Sequence, residues 1–356
     1  MEIVRLEDVC TTTTSNLTLK ELDKNNGAYP VYGASGLIKY IDFYNQDKEY
    51  IGIVKDGAGI GRVMLLPKNS SILGTMQYIF PNENIDIKYL YFNLIKMNLK
   101  KYYSGSTIPH IYFKDYKKEK IKLYSFEKQK KIAKILENIS NIIEKKKQKL
   151  QEYELLSKCL FIKMFGDPLK ENKNWQFKKI LEIGTIISGS TPKTNFKEYW
   201  GGNNFWLTPA EMKDETFVIN KTERTITDLG VKSCSLIKMP KGTVILSSRA
   251  PIGKVGILET EMYCNQGFKN IIPREEINSV YLYYIFKLKK DYLNSLGRGA
   301  TFKEISKGIV EKIFIKVPPI ELQNQFAERV KMIEKSKFLL LNFLKIQDLR
   351  IFKVEL

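Results

Sequence analysis

From Glu127 the chain settles into a helical period. Ile132, Leu136, Ile139, Ile143, Leu150, Tyr153, Leu160 and Met164 recur at alternating steps of four and three, with Lys146 and Ser157 interrupting the stripe. The seam returns 194 positions on, at Phe326, Val330, Ile333, Lys337, Leu340, Leu344, Gln347, Ile351 and Val354. Two positions in seven is the width of a coiled-coil seam, whereas a helix lying on a globular core shows a broader apolar face. The spacing therefore predicts two long helices packed against each other, with the apolar seam positions as the pairing residues. About 33 residues at about 1.5 Å each give a rod of about 50 Å. Gly166-Asp167-Pro168 ends the first helix, and a polar run to Asn174 follows.

Outside the helices the pattern is short and strand-like. Tyr50–Val54 and Arg62–Leu66 read as β-branched strands about a glycine turn, followed by a helix around Lys88–Asn98. Thr243–Leu246 and Val255–Leu258 repeat that hairpin, which is one sign of a duplication. Ala58-Gly59-Ile60-Gly61-Arg62-Val63 recurs 192 positions later as Ala250-Pro251-Ile252-Gly253-Lys254-Val255, and Tyr89-Leu90-Tyr91-Phe92 as Tyr281-Leu282-Tyr283-Tyr284. Pro81 and Pro273, Gly105 and Gly297, and Glu119-Lys120-Ile121 and Glu311-Lys312-Ile313 hold the same offset. Leu6-Glu7-Asp8-Val9 matches Ile180-Leu181-Glu182-Ile183 at an offset of 174, so the second copy carries about 18 additional residues, expected near Phe196–Met212. The fold class is α+β, with two similar globular domains and two long helices.

Length and charge then narrow the function. A chain of 356 residues suits two or three domains, and 43% hydrophobic with 27% charged residues excludes a wholly disordered chain. A net charge of +19 points to a polyanion or an acidic partner protein, with nucleic acid first. No signal peptide and no apolar run of membrane-spanning length is evident. Cys10, Cys159, Cys234 and Cys264 lie far apart with no CxxC pair, which argues against a disulfide framework or zinc cluster and suits a reducing cytoplasm. Because His110 is the single histidine, a metal site with several imidazoles is excluded, and any Ser-His-Asp mechanism would have to use that residue.

The loop Asp56-Gly57-Ala58-Gly59-Ile60-Gly61 imitates a dinucleotide-binding turn but lacks the full GxGxxG, and Pro251 occupies the second glycine position in its counterpart. A proline there blocks close backbone approach to a pyrophosphate, so a tight strand connection is expected. The same region carries Lys55, Gly59 and Arg62 in one copy and Arg249 and Lys254 in the other, which keeps phosphate or base contact open. Neither GxxxxGK[ST] nor an Asn-Pro-Pro-aromatic signature is present, since Val317-Pro318-Pro319-Ile320 lacks the asparagine and the aromatic. ATP and a methyl donor thus have no evident site. The nuclease-like Glu171-Asn172-Lys173 falls in the expected linker. Two corresponding loops, Ser104–His110 and Gly297–Lys303, offer Ser106, Thr107, His110, Arg298, Thr301 and Lys303 as donors to phosphates or base edges. They serve equally as turns before the strands at Glu119 and Glu311, and His110 could simply donate to a backbone carbonyl. Lysine far outnumbers arginine, which favours sequence-independent phosphate contact and leaves eight arginines as candidates for bidentate guanine reading.

With the two-copy plan on the page, a further set of residues carries a family resemblance. Ser188-Gly189-Ser190-Thr191-Pro192-Lys193-Thr194, Tyr199-Trp200-Gly201-Gly202 and Trp206-Leu207-Thr208-Pro209-Ala210-Glu211-Met212 resemble the opening of the recognition domains in specificity subunits of type I restriction-modification systems. Tyr29-Pro30-Val31-Tyr32-Gly33 is the variant opening of the first copy. Pro318-Pro319-Ile320-Glu321-Leu322-Gln323-Asn324-Gln325 and Met164-Phe165-Gly166-Asp167-Pro168 match at the helix ends, whereas Ser125-Phe126-Glu127-Lys128-Gln129 lacks the prolines. The resemblance implies target recognition domains at 1–125 and 169–318 and conserved helical spacers at 126–168 and 319–356. The spacers would pair as an antiparallel coiled coil. Each domain would read half of a bipartite site in double-stranded DNA. The helices would set the spacing and dock two methyltransferase subunits, which carry S-adenosylmethionine, and endonuclease subunits could join. The chain itself would be a cytoplasmic, non-catalytic binder. Base reading is expected through loops near Gly59, Ser106, Thr191, Arg249 and Arg298, with Lys193 and Thr194 among the DNA contacts. A divergent DNA-modifying or DNA-cleaving enzyme and a coiled-coil scaffold without sequence preference are the alternatives.

Overall fold

Apolar runs bounded by glycine turns become strands buried on both faces. The computed structural model describes residues 1–105, 109–170, 175–297, 299 and 303–351. It contains two compact units, Met1–Lys146 with the end of the chain from Phe343, and Lys147–Asn342. The first has nine strands, β1 (Glu2–Arg5), β2 (Cys10–Thr14), β3 (Tyr29–Gly33), β4 (Gly36–Ile41), β5 (Tyr50–Val54), β6 (Val63–Leu66), β7 (Ser71–Ile72), β8 (Met76–Pro81) and β9 (Lys120–Leu123). An antiparallel sheet runs in the order β2-β8-β5-β6, a smaller one in the order β4-β3-β7 has β3 and β7 parallel, and β1 pairs with β9. The pleat divides β5 between two cores. Ile51 and Ile53 join Tyr89, Leu90 and Leu94 of helix α1 (Ile87–Lys96), whereas Tyr50 and Val54 join Met76 and Tyr78 on the opposite side.

Helix α2 (Phe126–Phe165) leads into the second unit, whose strands are β10 (Gln176–Lys179), β11 (Gly184–Ser188), β12 (Trp200–Leu207), β13 (Val218–Ile219), β14 (Thr225–Ile226), β15 (Val244–Leu246), β16 (Val255–Leu258), β17 (Tyr263–Cys264), β18 (Lys269–Pro273) and β19 (Phe314–Val317). The order β11-β18-β15-β16 repeats that of the first unit, with β13 added parallel to β16 at the edge. The β14-β12-β17 sheet repeats β4-β3-β7, parallel pair included. Helix α3 (Ser279–Leu288), capped by the Asn278 side chain, matches α1, capped by Asp86.

Strand register corrects the expected place of the additional residues. The parallel partners Val31/Ser71 and Trp206/Tyr263 equate Trp206 with Val31, 175 positions apart, so the offset has grown by only one up to the end of β12. Across the next strand pair Tyr40 equates with Thr225, an offset of 185, and the full 192 is reached by β15. The growth therefore falls after Leu207, in two stretches. One links β12 to β14 and supplies β13; the other, after β14, holds a short helix at Asp228–Ser233.

Helix α4 (Ile320–Ile351) pairs antiparallel with α2. In the second unit Phe161 and Phe165 of α2 pack on Phe326 of α4, and Glu154 reaches Lys337 at 3.7 Å. In the first unit Lys146 lies over the Phe343 ring at 4.3 Å. The seam does two jobs, which its narrow sequence pattern concealed. Ala133 and Leu136 of α2 belong to the first domain's core, and Ala327 and Val330 of α4 to the second's. Lys337 is buried inside the seam, held by Glu334 at 3.0 Å, and Ser157 is buried too, so the polar positions belong to the stripe.

Each long helix is fixed to its domain by one buried glutamine, a residue the stripe gave no reason to single out. Gln129 Oε1 accepts from the Asp86 N–H at 2.8 Å, while Nε2 donates to the carbonyls of Asn84 and Tyr124 at 3.0 and 2.9 Å. Gln323 repeats this with the Asn278 N–H at 2.9 Å and the carbonyls of Glu276 and Pro318 at 3.0 and 2.8 Å. Both glutamines are 0% exposed. One amide thus joins the first turn of the helix to the cap of α1 or α3 and to the end of the preceding strand.

Candidate nucleic-acid interface

In the first domain the turn between β5 and β6 collects Lys55, Gly59, Arg62 and His110. Gly57 and Gly61 have positive φ, and a Cβ at Gly61 would stand 2.7 Å from the Lys100 backbone nitrogen, so this turn requires glycine. Asp56 and His110 form an isolated β-bridge, and His110 Nδ1 lies 2.6 Å from Asp56 Oδ1. The imidazole is thus paired with a carboxylate, not with a backbone carbonyl. The Lys55 ammonium is 4.0 Å from the same carboxylate, and the Arg62 guanidinium donates to the Ala34 carbonyl. Ser106 and Thr107 lie outside the described residues.

The corresponding junction in the second domain uses other residues. Arg249 and Glu304 form the isolated bridge, with Arg249 Nε 2.9 Å from the carboxylate and the nearly buried Lys269 ammonium 3.2 Å from its other oxygen. Burial works to raise the Glu304 carboxyl, and the Arg249 and Lys269 hydrogen bonds outweigh it, leaving the acid below its ordinary value. Lys254 donates to the carbonyls of Met212 at 2.5 Å and Pro209 at 3.4 Å, holding the loop after β12. Arg249 and Lys254 are thus engaged within the domain. Lys303 is exposed nearby, and Arg298 and Thr301 lie outside the described residues.

A second surface of this domain gathers Thr191, Lys193 and Thr194 around two tryptophans. The buried Trp206 donates its Nε1–H to the Ser190 carbonyl at 3.1 Å, and Trp200 donates to the Lys193 carbonyl at 3.4 Å. Thr191 is hydrogen-bonded to Gln266, the Lys193 ammonium lies 5.9 Å from the Phe196 ring, and Thr194 is exposed. Over the tryptophans lies Arg224, which the sequence offered only as one of eight arginines, because its place against two rings is set by strand pairing.

The seam residues Ile132, Leu136, Ile139, Ile143, Leu150, Tyr153, Phe326, Val330, Ile333, Leu340 and Leu344 are buried or half-buried. Ile351 ends α4. The exposed apolar side chains are others. Ile135 and Ile142 are exposed in the first unit, and Leu155, Leu156, Ile162, Met332, Phe338 and Leu339 in the second. Among the described residues, no three His, Cys, Asp or Glu side chains gather as a metal site, and no helix is long and apolar enough to cross a membrane.

Comparison with known proteins accounts for this arrangement. The family model described as "Type I restriction modification DNA specificity domain" matches residues 1–155 and 172–348. The MjaIX type I restriction enzyme specificity subunit of Methanocaldococcus jannaschii is 45% identical over 158 residues, 44% of this chain and 37% of that relative, so the chain spans little more than a third of its length. The MjaVIII specificity subunit of the same organism is 24% identical over 94% of this chain and 86% of its own. The crystal structure of the type I restriction-modification S subunit from M. genitalium superposes with a TM-score of 0.67 at 17% identity, covering 99% of this chain and 95% of that one, and so shares the fold. Two matched segments, one on each copy of the internal repeat, place the chain in the type I restriction-modification DNA specificity domain family.

Proposed function

We propose that this chain is the non-catalytic DNA-recognition subunit of a type I restriction-modification complex. Its two domains each read one half of a bipartite site in double-stranded DNA. The observation that carries this reading is the contrast between a repeated scaffold and unrepeated loops. The same strand orders and helix pins recur, while Asp56–His110 in one copy is replaced by Arg249–Glu304 in the other. Similar scaffolds with different loops suit unlike half-sites, and a rod of fixed length suits a fixed gap between them. The charge of +19 supplies phosphate attraction without sequence information. The exposed apolar side chains on α2 and α4 are the surface for two methyltransferase subunits, to which S-adenosylmethionine and adenine chemistry belong.

The test is mapping of methylated adenine across the genome in cells carrying the adjacent methyltransferase, with and without this chain. A split motif with a fixed gap should appear only when the chain is present. Lengthening both helices by one matched turn should lengthen the gap and leave both half-sites unchanged. Unchanged methylation, or new bases read by the lengthened variant, would refute the proposal. Methyl-donor-dependent or metal-dependent activity of the chain alone would favour an enzyme instead.

A further inference from the structure

Granting that the second domain reads DNA, we propose that Arg224 is the side chain with which it recognises a guanine. Three arginines lie in the described part of this domain outside α4, and two have oxygen partners for their guanidinium groups. Arg249 is bound to Glu304, and Arg274 donates to the Glu182 carbonyl at 2.8 Å. Arg224 is exposed and its guanidinium has no carboxylate or carbonyl partner among the described residues. It lies instead against aromatic faces, with its central carbon 4.1 Å from the Trp200 ring centroid and 5.1 Å from that of Trp206. The two rings meet edge to face, their centroids 5.0 Å apart.

Such a setting suits base reading for a physical reason. Stacking on an indole face orders the long side chain yet uses none of its five N–H donors, so a planar fork remains free for a bidentate acceptor. Guanine offers that acceptor pair, O6 and N7, on its major-groove edge. The backbone beneath is ordered as well, because the Arg224 carbonyl accepts from the Trp206 N–H at 3.2 Å and from the Thr222 hydroxyl at 2.6 Å. Through Trp206 and Trp200 the same platform is tied to the Ser190 and Lys193 carbonyls, which sets Arg224 beside Thr191, Lys193 and Thr194. Lys193 and Thr194 on that loop are exposed and suited to the flanking phosphates, leaving the guanidinium to the base.

The experiment uses the full chain with its methyltransferase in cells, carrying Arg224→Lys or Arg224→Ala, and reads the methylated motif. Preference for guanine at one position of one half-site should fall by about 5- to 150-fold, the range of one bidentate contact. The other half-site should be unchanged. Lysine should not restore the lost preference, because an ammonium lacks the planar fork. Tryptophan fluorescence and thermal unfolding of the purified variants check folding. If the alanine variant unfolds, the lysine variant, which keeps the charge, decides. An unaltered motif in a folded variant overturns the proposal. So does a uniform loss of methylation that lysine restores, which would make Arg224 a phosphate contact. If the wild-type chain directs no sequence-specific methylation, the DNA-reading function itself fails, an outcome distinct from failure of Arg224 alone.

Discussion

Replacing Gln323 by alanine should detach the start of α4 from the second domain. Three hydrogen bonds disappear together, those with the Asn278 N–H and with the Glu276 and Pro318 carbonyls. The site is fully buried, so water cannot replace the amide without entering the core. An unsatisfied buried group costs about 1–3 kcal/mol. The stranded N–H carries most of that cost, since carbonyls accept other donors more readily, and the emptied side-chain volume adds to it. A loss of about 2–4 kcal/mol is expected, with glutamate at least as harmful because its carboxylate would face two carbonyl oxygens. The assay is urea unfolding followed by tryptophan fluorescence, because Trp175, Trp200 and Trp206 all lie in the second unit. At a typical slope of about 2 kcal/mol/M the midpoint should fall by about 1–2 M. A variant within about 0.5 kcal/mol of wild type would refute the reasoning, because that is the range of an indifferent surface change. Gln129→Ala, measured by circular dichroism, should show a loss of the same size.

Thiol alkylation should divide the cysteines. Burial pushes the Cys264 and Cys10 thiols up to about 12, so both should react only on unfolding, whereas the exposed Cys159 should label quickly. Cys159 shares a helical face with the exposed Leu155 and Ile162, so bound methyltransferase should slow its labelling; unchanged labelling in the complex would place docking elsewhere. Because the folded-state Glu304 carboxyl lies below its ordinary value, its contribution is present above about pH 4.3 and lost as pH falls through the folded value. Glu304→Gln should therefore destabilise the second domain at neutral pH and progressively less on acidification, read by the tryptophan transition. Lys337→Ala should cost about 1–3 kcal/mol by leaving Glu334 unpaired in the seam, and Lys337→Ala with Glu334→Ala should recover part of it, measured as a double-mutant cycle.

The long helices, the duplication and the hairpins at Tyr50 and Val244 were legible because each rests on a periodic or repeated signal. Their limits have equally definite causes. The additional residues were anchored only at Ile183 and Ala250, and between those anchors a gap can slide freely until strand pairing fixes it at Leu207. Gln129 and Gln323 are single polar residues in first turns that also carry the charged Glu127 and Lys128 or Glu321, with no pattern to set a buried amide apart from a solvated one. Both pins hold the same three backbone groups, so three-dimensional correspondence reveals what the seam did not. The candidate surface was legible as loops. Which cations in those loops are already engaged depends on partners distant in sequence, as with Arg249 and Glu304.

Those engagements separate two roles that one basic composition had merged. At the junction between the turn after β5 or β15 and the loop that follows the next helix, each domain has an acid–base pair, Asp56 with His110 in one and Glu304 with Arg249 in the other. The same scaffold position is thus closed by opposite polarities, with the base on the late loop in the first copy and on the early turn in the second. A pair that closes a junction leaves fewer donors for a ligand. In the second domain the proposed recognition therefore draws on the end of the β12–β14 connection, where Arg224 rests on rings instead of oxygens. Divergence at that sheet edge leaves the glutamine pins and the helix seam untouched, so on the proposed reading the bases recognised can change while the helices that space the half-sites stay the same.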